Sequence, residues 1–199
     1  LDVDHGTYPF VTSSNTITSG VCNGLGIAPS AIGEVIGIVK AYCTRVGSGP
    51  FPSELDNEMG EKIRRLGSEF GATTGRPRRC GWLDIPQLLY TIMLNGVTQI
   101  VMTKLDILDE FETIDVATHY SVDGASATTE LPYDLCDGDI EMVTQSYQGW
   151  NTSLDKCDNF NDLPIETKSY ISAMSSLLRV PITMISSGPE RRKLMGVPR

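Results

Sequence analysis

The sequence predicts a layered α/β domain carrying a β-hairpin excursion, and three observations support this. Apolar residues recur at helical spacing in four segments. Two β-branched apolar runs, VTQIVMT at 97–103 and VPITMIS at 180–186, read as internal strands. Between them, IDVATHYSV at 114–122 alternates apolar with polar residues, as a strand with one wet face does. Helices alternating with apolar strands fit a sheet covered by helices.

Taken in chain order, the first helix is expected over Ser30–Tyr42, where Ile32, Val35, Ile36, Val39 and Tyr42 share a face and Ser30 can cap the start. A second is expected over Asn57–Phe70, with Met59, Ile63, Leu66 and Phe70 as its apolar stripe and Gly71 as a left-handed stop. A third begins at Asp84, carries Pro86 in its first turn and closes at Asn95-Gly96. The strand 97–103 follows, then the alternating strand 114–122, which Asp123-Gly124 is expected to turn into SATTEL at 126–131. Residues 134–162 are rich in Asp, Asn and Gly and read as irregular surface. Residues 165–178 form the last helix, and the strand 180–186 ends at ISSGP.

The 199 residues suffice for one domain with a full core, and no repeat or Pro/Gly/Ser linker divides them, so a single unit over 1–199 is expected. The opening LDVDHGTYPF has no basic start, apolar centre or cleavage site, and Leu1 is not a natural start, so the chain reads as a portion of a longer polypeptide. No run approaches the roughly 18–20 apolar residues of a membrane span. A formal net charge of −9 argues against a general nucleic-acid surface. Five cysteines without a C-x-x-C pair, and only two histidines, argue against zinc or a disulfide scaffold and suit a cytoplasmic protein.

Against that acidic background, GATTGRPRRCGW at 71–82 crowds Arg76, Arg78 and Arg79 together. Thr73 and Thr74 add hydroxyls, Gly75 permits close backbone approach, and the guanidinium forks suit carboxylate or phosphate. The plainer alternative is an exposed basic turn paired with neighbouring acids. A second candidate is MTKLD at 102–106, following a buried strand. The Asp106 carboxylate could accept two hydrogen bonds from the Watson–Crick edge of guanine, with the Lys104 stem over the ring; the alternative is a solvated strand end. The third is ISSGP at 185–189, where Ser186, Ser187 and Gly188 offer hydroxyls and backbone N–H groups at another strand end, or form an ordinary turn. No G-x-x-x-x-G-K-[ST] loop occurs, GLG at 24–26 is too short for a dinucleotide fingerprint, and no Cys–His or Ser–His–Asp arrangement is apparent. His5 could act as a base or be structural, and Tyr147–Trp150 should pack locally.

With these residues in hand, the chain resembles the carboxyl-terminal half of the adenylosuccinate synthetase family. The segments that carry the likeness are DVDHGTYPFVTSSNT (2–16), TRVGSGPFPSEL (44–55), EFGATTGRPRRCGWLD (69–84), MTKLDILD (102–109) and ISSGPER (185–191). The resemblance implies part of a P-loop-NTPase-like layered domain with a mostly parallel central sheet. It implies GTP-dependent joining of IMP to L-aspartate, in which GTP phosphorylates O6 of the base and the aspartate amine displaces that phosphate. By the same resemblance, Thr12 and Val46 contact IMP. The loop Ala72, Thr73, Thr74, Gly75, Arg76, Pro77 and Arg78 receives aspartate, with Arg76 also reaching IMP and Arg78 facing GTP. Lys104, Leu105 and Asp106 read guanine together with Ser186, Ser187 and Gly188. Pro77 stands where many relatives carry arginine.

The family's phosphate loop, catalytic Asp and His, and magnesium ligands match nothing in these 199 residues. The resemblance therefore implies Mg2+ with ligands elsewhere, a cytoplasmic homodimer, and no turnover by this portion alone. Two other readings compete: a non-catalytic guanine-nucleotide-binding regulatory module, and a structural domain whose basic turn is salt-bridged.

Overall fold

The structure is a computed structural model describing residues 1–133, 135–136 and 138–198. In chain order its elements are α1 (Ser19–Leu25), β1 (Ile36–Lys40), β2 (Cys43–Arg45), α2 (Glu58–Leu66), β3 (Arg79–Gly81), β4 (Leu83–Asp84) and α3 (Ile85–Asn95). There follow β5 (Gln99–Thr103), β6 (Thr113–Val122), β7 (Ile140–Gln148), α4 (Ile165–Leu178), β8 (Ile182–Ser186) and β9 (Leu194–Gly196). Among the described residues the central sheet has the order β1-β5-β8-β9. Its β1–β5 and β5–β8 pairs are parallel and only β9 runs antiparallel, so the mixed α/β class with a mostly parallel sheet holds.

Ile100, Met102, Ile182 and Ile185 point from β5 and β8 into the core, where they join Tyr170, Ile171, Met174 and Leu178 of α4 and Ile63 of α2. Helix α3 forms as its local signals dictate. The Asp84 carboxylate accepts the Gln87 N–H at 3.1 Å, Pro86 sits in the first turn, and Gly96 closes the helix at φ 59°. Helix α4 occupies the expected 165–178, and the buried middle of β5 and the whole of β8 fall inside their expected runs.

Three expectations are corrected. The helix expected over Ser30–Tyr42 is a short 3-10 turn at Pro29–Ala31 followed by the strand β1. Its apolar residues also fit a strand, Gly33 and Gly37 weaken a helix, and parallel pairing with β5 from Ile36↔Gln99 to Lys40↔Thr103 decides the outcome. The second helix stops at Leu66, four residues early. Gly67 caps it in the right-handed conformation, where a Cβ would lie 2.4 Å from the Tyr42 hydroxyl, and the left-handed turn expected at Gly71 is made by Ser68 at φ 51°.

The hairpin is the third. Asp123 and Gly124 do turn at φ 52° and 73°, but the strand that pairs along β6 is β7, in antiparallel register from Val122↔Ile140 to Thr113↔Gln148. Residues 126–131 contribute only the Tyr120↔Thr128 bridge. Strand β7 lies within the segment expected to be irregular. Its side chains are largely exposed, and its apolar residues, Ile140, Met142, Val143 and Tyr147, keep no clean alternation, so the β6 backbone supplies its pairing.

Candidate functional site

The carboxyl ends of β1, β5 and β8 lie side by side, because Lys40 pairs with Thr103 and Met102 with Ile185. This edge is where open α/β sheets gather ligands. Lys104 adopts the left-handed conformation at φ 61° and throws the chain into a 3-10 turn, Leu105–Leu108. Leu105 is fully buried and anchors that turn, while Lys104 and Asp106 remain half-buried beside the strand end. Lys104 Nζ donates to the Gly67 carbonyl at 2.7 Å. Burial pushes the Asp106 carboxyl up, and its own backbone N–H and the Lys104 charge oppose that shift.

On the neighbouring strand end, Ser186 Oγ donates to the Gly188 carbonyl at 2.7 Å. The Ser187 N–H donates to the Lys193 carbonyl at 3.2 Å, and Ser187 Oγ is buried with no hydrogen-bond partner among the described residues. A Cβ on Gly188 would lie 3.1 Å from Lys193 Cγ, so this turn packs closely. The MTKLD and ISSGP segments are thus brought together.

The arginine loop is a tight excursion closed by backbone hydrogen bonds, Gly71 N–H to Arg76 O at 2.8 Å and Arg78 N–H to Glu69 O at 3.0 Å. Ala72 to Pro77 are exposed, with Gly75 at φ 65°. The three arginines part company here. Arg76 lies on the exposed tip. Arg79 pairs with Glu54, Nε to Oε1 at 2.7 Å, and donates to the Gly49 carbonyl at 2.8 Å, so for this residue the salt-bridged reading holds. Arg78 donates through Nη1 to Glu69 Oε2 at 2.8 Å.

Glu69 is the residue that the sequence did not single out. It is 1% exposed. Its Oε1 accepts from Lys40 Nζ at 2.8 Å and Tyr42 Oη at 2.6 Å, and lies 3.2 Å from Lys104 Nζ. Burial alone would raise its carboxyl, but the hydrogen bonds from Lys40, Tyr42 and Lys104 hold it down at about 2. Among the described residues, Lys40, Arg78 and Lys104 therefore converge on one buried ionised carboxylate, with the half-buried Asp106 beside Lys104 at the same strand end. Expecting helix through Phe70 concealed Glu69; the pattern E-F-G just before the basic loop was the only available signal.

Thr12 and Val46 are both exposed. The segments that carry them are joined by Arg45, whose guanidinium donates to Thr7 Oγ1 and Phe10 O at 3.2 Å and to Pro50 O at 3.0 Å. His5 is tied locally, with Nδ1 3.0 Å from Asp2 Oδ1. The buried Asp2 also accepts the Thr16 N–H at 3.0 Å, and that bond, with His5, holds its carboxyl at about 2. The segment Tyr147–Trp150, expected to pack locally, instead makes long-range contacts: Trp150 donates to Asp109, 41 residues away, and Tyr147 meets Tyr170 of α4 edge-on. A cavity of about 300 Å3 opens beside Ile38, Lys40, Tyr42 and Arg45; none of the expected nucleotide or dicarboxylate contacts lines it. No helix among the described residues is long and apolar enough to cross a membrane.

A family profile described as adenylosuccinate synthetase matches residues 1–195. The chain is 52% identical over 195 residues to an adenylosuccinate synthetase of Cytophaga hutchinsonii, covering 98% of this chain and 45% of that protein. It is 50% identical over 198 residues to one of Paramecium tetraurelia, covering 98% of this chain and again 45% of the relative. Among solved structures, a fully ligated adenylosuccinate synthetase from Plasmodium falciparum superposes with a TM-score of 0.90 at 42% identity, over 100% of this chain and 48% of that one. The chain thus spans about half the length of the curated relatives it matches.

Proposed function

This chain belongs to the adenylosuccinate synthetase family, and on that premise we propose that it supplies the substrate-recognition part of an enzyme that joins IMP to L-aspartate at the expense of GTP. One observation carries the reading. Arg78, from the dicarboxylate loop, and Lys104, from the guanine element, hold the same buried carboxylate, so the two recognition elements adjoin. An amino diacid gripped at one end and a purine at the other would lie along the strand-end edge.

In this reading GTP phosphorylates O6 of the hypoxanthine, which converts a poor leaving group into phosphate. The aspartate amine then attacks C6 and phosphate departs. Thr73, Thr74 and Arg76 hold the aspartate carboxylates, with Ala72, Gly75 and Pro77 shaping the loop, and Arg76 also reaches IMP beside Thr12 and Val46. Arg78 faces the GTP phosphates. Asp106 accepts from the N1–H and exocyclic amine of guanine, Leu105 anchors its turn, and Ser186, Ser187 and Gly188 close the pocket. Burial of Asp106 adds selectivity, because a base without two donors on that edge leaves the carboxylate unpaired.

Magnesium belongs to the same reading but does not fit the described residues. Asp2, Asp4 and His5 form a metal-sized cluster, yet Asp2 is already engaged by Thr16 and His5. Mg2+ prefers an octahedral set of oxygen ligands, so no step is assigned through it here. A cytoplasmic homodimer belongs to the proposal and is supported by family membership; lack of turnover by these 199 residues alone belongs to it because the family's phosphate loop and catalytic Asp and His match none of them.

The guanine assignment is tested by Asp106→Asn in the full-length protein that carries this chain. An amide turns one acceptor into a donor facing donors, so kcat/KM for GTP should fall on the order of 100-fold or more while the KM for IMP holds. Unchanged GTP kinetics would remove the assignment.

A further inference from the structure

Glu69 is more heavily engaged than a structural ion pair requires. A buried carboxylate needs compensation for lost hydration, and one well-placed cation with a hydrogen bond provides it. Glu69 instead receives Lys40 from the end of β1, Lys104 from the end of β5, Arg78 from the arginine loop, and the Tyr42 hydroxyl. Its own backbone is fixed at both ends, the N–H on Arg64 O at 2.9 Å and the carbonyl accepting from Arg78 N–H at 3.0 Å. The carboxylate therefore stays in place while the longer cationic side chains, each about a third exposed, can be drawn outward.

We propose that Glu69 is a positioning residue that couples the arginine loop to the guanine-recognition element, so that filling one subsite raises the affinity of the other. The proposal rests on the functional reading above. When Arg78 turns toward an incoming anion, Glu69 loses one donor and draws Lys104 and Lys40 closer. Lys104 is then fixed with its stem over the base. Conversely, a bound guanine that fixes Lys104 on Glu69 leaves Arg78 free to turn to the ligand. The coupling passes through a shared carboxylate and is reciprocal.

Calorimetry on the full-length, IMP-bound protein tests it, with L-aspartate titrated in the presence and absence of GDP, which cannot be turned over. GDP should tighten aspartate binding roughly fivefold or more in the native protein, and in Glu69→Gln the effect should shrink to within about twofold of none, with IMP affinity unchanged. Tyr42→Phe removes a donor but no cation, so it should lower the melting temperature and keep the coupling. Coupling that survives Glu69→Gln, or that Tyr42→Phe abolishes equally, overturns the proposal and leaves the functional reading standing. Native protein that binds neither GDP nor aspartate overturns both. Should Glu69→Gln fail to fold, the cycle of Arg78→Ala with Lys104→Ala decides, read on aspartate affinity without GDP, where Lys104 touches no ligand: non-additive effects support the proposal, and additive effects overturn it.

Discussion

The Arg78 guanidinium rests on the buried carboxylate of Glu69 at 2.8 Å, which turns a residue of a solvent-exposed loop inward at the loop's base. The remainder of the loop is not held in this way. Ala72 to Pro77 are exposed, and few bonds beyond the Gly71–Arg76 closure tie them down.

That contrast predicts a local ordering transition. Amides of residues 72–76 should exchange rapidly in the empty full-length protein and slow at least about tenfold when IMP, aspartate and a guanine nucleotide are bound. Hydrogen exchange followed by mass spectrometry checks this. Equal rates in both states would contradict a ligand-ordered loop.

Asp109 predicts a pH dependence of stability. Its carboxyl is pushed up from 3.8 to about 6, first by burial, with the Trp150 and Leu154 hydrogen bonds acting against the shift. Between those two values the folded state holds a proton that the unfolded state has released. Its stabilising contribution is thus complete below pH 3.8 and is lost as pH rises through about 6. Melting curves of native protein and Asp109→Asn should diverge across that window, the variant gaining on the native protein as pH rises, and run parallel above it. A difference that does not vary with pH would rule the assignment out.

Gly81 predicts a steric limit next to the arginine loop. A Cβ there would lie 2.1 Å from the Ser53 carbonyl oxygen and 2.9 Å from Phe51 Cζ, and the same Ser53 oxygen accepts the Trp82 N–H at 3.0 Å. Gly81→Ala must displace backbone rather than a flexible side-chain end, so it should cost about 2–3 kcal/mol. Urea denaturation measures this; a loss within about 0.5 kcal/mol, the range of a neutral surface change, would show that the strand pair yields easily.

The sequence by itself determined the features that depend on near neighbours. The caps of α3 at Asp84 and Gly96, the periodicity of α4 and the β-branched runs of β5 and β8 are local signals, and local energetics sufficed. The segments TTGRPR, TKLD and SSGP stood out by residue type, each with a plainer alternative beside it. Only the tertiary structure decided three matters. Residues 36–40 became a strand because β5 offered a parallel partner, and β7 formed because β6 offered an antiparallel one. Glu69 became the centre of a cation cluster because Lys40, 29 residues away in sequence, and Lys104 on the next strand reach it where two strands end. Pairing and ion clustering of this kind depend on separations that the sheet creates, and no local pattern of residues encodes them.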